Sequence, residues 1–152
     1  MKYFLFIYLM FSSLTTFADA DLDINQGWIQ EGPPNARVLA GFMVMTNPTS
    51  TDIIIKSATS DSFKRIEFHR TLHENGMARM RQQPQLTIKA GGSLTLEHGG
   101  YHLMMFQPAS RLKAGDQVKI HFQLSNNKKQ SVTVPVKTPQ GDQQGHAHHH
   151  HH

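Results

Sequence analysis

No cysteine occurs in the 152 residues of the chain. That absence excludes disulfides, thiolate metal sites, iron–sulfur clusters, cysteine nucleophiles and a blue-copper centre, which needs a Cys thiolate. Charge of either sign is sparse, at 17% of residues, and the excess is +4. The Lys and Arg residues are scattered, and the densest pair, Lys128-Lys129, follows Asn126-Asn127. No basic stripe with interleaved aromatics appears, so a nucleic-acid surface is not expected. A helical hydrophobic period is missing throughout, and neither a nucleophile elbow nor a paired-carboxylate motif occurs. The chain is therefore not expected to be an enzyme.

What the chain does have is methionine and histidine, eight and eleven of them. Apolar residues make up 38%, too many for a chain that cannot build a core. The length suits one domain.

The ends read differently from the middle. Lys2 is followed by an apolar run from Tyr3 to Phe11, a polar Ser12–Thr16 stretch and Ala18-Asp19-Ala20. This is the pattern of a secretory leader over residues 1–20, cleaved after Ala20. The run is too short for a stable membrane span, and no Cys follows for lipidation. A periplasmic protein without a membrane anchor is expected. At the other end, residues 140–152 close on His146 and His148–His152. This His-rich tail reads equally as a purification tag or as a natural metal-collecting segment.

Between the ends, residues 21–139 read as one all-β domain. Short alternating runs come every 8 to 12 residues between turn signals. Expected strands cover 24–30, 37–46, 52–57, 63–70, 77–81, 85–88, 93–97, 101–106, 117–124 and 131–136. Turns are expected at His73-Glu74-Asn75-Gly76, Ala90-Gly91-Gly92, His98-Gly99-Gly100 and Asn126-Asn127. Alternation of this kind buries one face per strand, hence a sandwich or closed barrel.

Four residues stand out as donors. His102 and Met104 lie two apart in one strand and share a face, while Leu103 and Met105 face the core. His69 lies at the end of the fourth expected strand, and a hairpin through Asn75-Gly76 returns Met80 toward it. Thioethers and imidazoles together suit Cu(I), whereas zinc makes little use of a thioether. The same residues also read as ordinary packing and surface side chains, and residue types alone leave both readings open. Met43 and Met45 read as packing, His98 as solvated, His121 as exposed, and Trp28 as a packing anchor. His73 reads as a turn residue, with a secondary metal-ligand role as the alternative.

The chain resembles the PCuAC family of periplasmic copper chaperones. His69 is followed by ten residues and Met80, then twenty-one residues and His102, with Leu103 before Met104. Trp28, Gly32-Pro33-Pro34, Ala40-Gly41-Phe42, Ala90-Gly91-Gly92 and Gly99-Gly100-Tyr101-His102-Leu103-Met104 also match, so the resemblance spans about Asn25 to Val136. It implies a cupredoxin-like Greek-key barrel and a Cu(I) site of His69, Met80, His102 and Met104. It further implies delivery of copper to the dinuclear site of cytochrome c oxidase subunit II, beside a Sco-type thiol protein. A copper buffer without a dedicated acceptor is the alternative, and a monomer is expected. Arg70 departs from the family pattern, as a cation directly after the first His. Met77 is a nearby competitor that strand alternation turns away from Met80.

Overall fold

The computed structural model describes residues 22–139, so the expected leader and His-rich tail lie outside the described residues. Every regular element is a strand: β1 Asp23–Gln30, β2 Val38–Thr46, β3 Ile53–Thr59, β4 Phe63–Glu74, β5 Met77–Gln83, β6 Leu86–Ile88, β7 Ser93–Leu96, β8 Tyr101–Pro108, β9 Gln117–Leu124 and β10 Lys129–Lys137. The alternating runs become strands because each carries one apolar face, and those faces bury only by turning inward together.

The order β4-β8-β7-β2-β1-β10-β9-β3 closes on itself through Ala58 opposite Ile66, and β5 and β6 hang outside the ring. The all-β barrel expected from the sequence is thus the observed architecture. Its wall pairs strands distant in sequence, with β4 beside β8 and β10 parallel to β1. Closure removes the exposed edges that an open sheet would present.

Ile29, Met45, Ile55, Leu103, Met105, Ile120 and Phe122 are fully buried inside the barrel. Met43 and Met45 are therefore packing residues, as expected. The buried Asn47 is fully used. Its Nδ2 donates to the Thr51 and Ile88 carbonyls, and its Oδ1 accepts from Thr49 N and Oγ1. That network satisfies the one polar side chain that is wholly removed from water among the described residues.

One boundary departs from the sequence reading in a way that matters. The fourth strand was expected to end at Arg70, before a turn at 73–76. In the structure β4 continues to Glu74, and the turn is Asn75 and Gly76 alone, both at positive φ (52° and 75°). Two such residues make the tight hairpin whose twist matches its strands. His69 consequently sits within β4, and His73 is a strand residue opposite Ala78. Past Arg70 the strand leaves the core, so its alternation fades while its ladder with β5 goes on.

Candidate metal centre

The donors gather on the outside of the barrel wall, where β5, β4, β8 and β2 lie side by side. His69 on β4 stands directly opposite His102 on β8. Directly opposed residues share a sheet face, and the two imidazole centroids are 6.0 Å apart. Met104 follows His102 on that face, opposite Glu67 on one side and Ala40 on the other. Met80 on β5 stands opposite Thr71, and therefore diagonal to His69 on the same face. Leu103 and Met105 point the other way and are wholly buried. The alternation of β8 thus divides one strand between core and site.

Met80, His102 and Met104 line a single cavity of about 200 Å³, together with Phe42, Thr71 and His98. His69 is not in its lining, but lies across the ladder from His102. The four candidate donors are exposed very unequally. His102 is buried at 7%, whereas Met80 is 64% exposed at the outer edge.

The histidine hydrogen bonds are informative about donor atoms. His102 Nδ1 lies 3.1 Å from the Gly100 carbonyl. A carbonyl can only accept, so Nδ1 carries the proton and Nε2 keeps its lone pair. His69 Nε2 lies 2.8 Å from Glu67 Oε2. The carboxylate accepts there as well, which places the lone pair of His69 on Nδ1. That Nδ1 is buried and has no hydrogen-bond partner. A buried nitrogen without a partner is costly unless something else takes up its lone pair. Each imidazole is thus fixed by its neighbour in one tautomer with a free ring nitrogen, as carbonyls and carboxylates behind metal-binding histidines do.

Electrostatics agree with this picture. Burial pushes the His102 imidazole below its usual pKa, against an opposing contribution from the Gly100 hydrogen bond, and the nearby His69 and His98 push it further down. A neutral ring is a ligand and a protonated one is not. The hydrogen bond from His69 holds the Glu67 carboxyl below its usual range, and Arg65, 2.6 Å away, adds to this.

The neighbours of the site mostly hold the places that the sequence assigns them. Arg70 is on the opposite face from His69, with its guanidinium 4.9 Å from the Tyr101 ring centroid, so its charge is directed away from the cavity. Met77 faces away from Met80, as alternation predicts. His121 alternates opposite the buried Ile120 and Phe122, with its Nδ1 2.6 Å from Ser131 Oγ. Trp28 packs on Phe42 at 5.0 Å, the anchoring role expected of it. His98 is exposed, as its glycine-turn context suggests, and its ring also lies 4.2 Å from the Phe42 ring and lines the cavity. Its place four residues before His102, ahead of two glycines, was the available signal.

Among the described residues, no three His, Asp or Glu side chains converge as a metal cluster. Two imidazoles and two thioethers are a donor set of the kind that suits a soft ion.

The family model described as "Putative lipoprotein LpqE-like" matches residues 22–136. "Putative lipoprotein Lxx21020" of Leifsonia xyli subsp. xyli is 28% identical over 86% of this chain and 79% of its own length. The solution structure of CuI-DR1885 from Deinococcus radiodurans is 30% identical over 76% of each chain, with a TM-score of 0.61. The copper-bound PCuAC domain from PmoF2 has a TM-score of 0.66 over 81% of this chain and 97% of that domain, at 13% identity. That last likeness is one of fold: the barrel described above is the cupredoxin-like barrel of PCuAC domains.

Proposed function

The chain belongs to the LpqE-like family, and from that premise we propose that it is an exported Cu(I) carrier binding one ion through His69, Met80, His102 and Met104. The observation that carries this reading is the buried, unpartnered Nδ1 of His69, set across the ladder from His102. The Cu(I) form named for the Deinococcus relative supports the choice of ion.

The donors divide the work. His69 and His102, oriented by Glu67 and the Gly100 carbonyl, supply two fixed nitrogens. Met104 and Met80 supply thioethers, which favour the reduced ion and carry no proton to lose. Because Met80 is exposed, an acceptor sulfur can displace its thioether first, then that of Met104, and take the ion stepwise. The acceptor is a cuproprotein such as the dinuclear copper site of cytochrome c oxidase subunit II, with a Sco-type thiol protein as a further partner. The carrier works as a monomer in the periplasm.

Anaerobic titration with Cu(I) against a competing chelator tests the site. One ion per chain is expected, with affinity lost in Met104→Leu and His102→Ala. Unchanged affinity in both variants would remove the site. Mixing the loaded protein with an apo oxidase copper domain tests delivery. Copper that stays on this chain would favour a buffer instead.

A further inference from the structure

We propose that His98 is a further copper ligand, placed at the mouth of the pocket, that takes the ion on its way into and out of the four-donor site. The inference rests on the Cu(I) carrier reading and adds to it a metal-binding position outside the His69–Met80–His102–Met104 set.

His98 lines the same cavity as Met80, His102 and Met104. It differs from the other barrel imidazoles around it in how it is held. His69 and His102 each use one ring nitrogen in a hydrogen bond that fixes the ring. His98 is positioned by ring contacts alone: its centroid is 4.2 Å from Phe42 and 6.1 Å from Trp28, which packs on Phe42 in turn. No hydrogen bond to either ring nitrogen occurs among the described residues. Aromatic packing thus holds the ring against the cavity wall while leaving its lone pair uncommitted.

The position suits transfer rather than storage. His98 is exposed, whereas His102 is buried. With no cluster of three imidazole or carboxylate side chains formed among the described residues, His98 does not complete a closed site with His69 and His102. It sits on the Glu97–Gly100 turn, where Gly99 adopts φ 76° and the Gly100 carbonyl orients His102. One turn therefore presents an outer imidazole and fixes an inner one. Incoming Cu(I) meets His98 and the exposed thioether of Met80 first. Its bond to the donor breaks as the bond to the His98 nitrogen forms, and the His98 bond breaks in turn as His102 and His69 bind. Copper stays Cu(I) throughout, and neutral imidazole requires no proton transfer. His73 shares the sheet face of His69 but does not line the cavity, so it has no such role.

The test uses the full mature chain with His146 and His148 through His152 replaced by Gln, which removes competing tail imidazoles. In this background His98→Phe keeps an aromatic ring on Phe42, and His98→Gln controls for the ring itself. Stopped-flow transfer from a Cu(I)–bicinchoninate complex, without oxygen, gives the loading rate. Both variants are expected to load at least about tenfold more slowly, with equilibrium affinity changed less than about twofold. Substoichiometric Ag⁺, a diamagnetic stand-in for Cu(I), is expected to shift the His98 ring nitrogen resonances. Equal loading rates in a parent that binds Cu(I), or unmoved His98 resonances, would overturn this inference alone. A parent that takes up no Cu(I) would overturn the carrier reading and this inference with it.

Discussion

At the residue scale, the site depends on which nitrogen of each histidine is left free. Glu67 fixes that choice for His69 through a 2.8 Å hydrogen bond. Removing the carboxylate in Glu67→Ala frees the ring to rotate and to exchange tautomers. We expect Cu(I) affinity to fall about 10- to 100-fold, the usual cost of losing such a partner. Chelator competition measures it, and circular dichroism confirms an intact barrel. The folded-state pKa of His102 is depressed, chiefly by burial. The stability tied to its neutral form is complete above the unfolded value, about 6.5. It is lost as pH falls below that value toward the folded pKa, because the unfolded chain then binds the extra proton. Apo-protein melts should show a stability decrease below about pH 6.5 that His102→Phe reduces. Copper affinity should fall over the same acidic range as protons compete for the His102 imidazole.

At the scale of elements, β8 carries two jobs on alternate residues. Its outward His102 and Met104 line the cavity, while its inward Leu103 and Met105 are fully buried core. Leu103→Ala should therefore cost about 2–5 kcal/mol of stability. Met104→Leu should leave the melting curve nearly unchanged while lowering Cu(I) affinity. Denaturant titration and chelator competition on the two variants read these effects separately. The hairpin β4–β5 is the other element that matters, because it alone delivers Met80. Its turn relies on Gly76 at φ 75°. A β-branched residue there is strained by on the order of 1–2 kcal/mol. Gly76→Val is thus expected to loosen the hairpin and weaken Cu(I) binding about as much as Met80→Leu does. The barrel, whose ring does not include β5, should keep its cooperative melt.

At the scale of the molecule, the ion is expected to bind the folded barrel and not the unfolded chain, since the donors come from three strands that only the fold brings together. Copper at about 100 times its dissociation constant then adds about 2.7 kcal/mol, on the order of 10 °C in melting temperature for a domain of this size. Anaerobic thermal melts with and without Cu(I) measure it, and Met104→Leu should shrink the shift. The barrel also explains the division between a buried end and an exposed one. The closed wall buries His102 against β2 and β4, and β5 lies outside that wall with Met80 in solvent.

The sequence by itself determined the all-β class, each of the ten strands to within a few residues, and the same-face pairing of His102 with Met104. These are local properties: period-two alternation and turn residues need no distant partner to be read. Ladder registers were beyond it, because they are set by pairing between strands far apart in the chain. Only the tertiary structure placed His69 opposite His102, continued β4 past its apolar stretch to Glu74, and turned Arg70 away from the cavity. It alone gave His69 a buried nitrogen without a partner, since tautomer and burial follow from what surrounds the ring, Glu67 on its own strand and His102 across the ladder on β8. His98 marks the same boundary. In sequence it is a polar residue in a glycine turn, and it lines the cavity because the pairing of β2 with β7 and β8 sets Phe42 beside its ring.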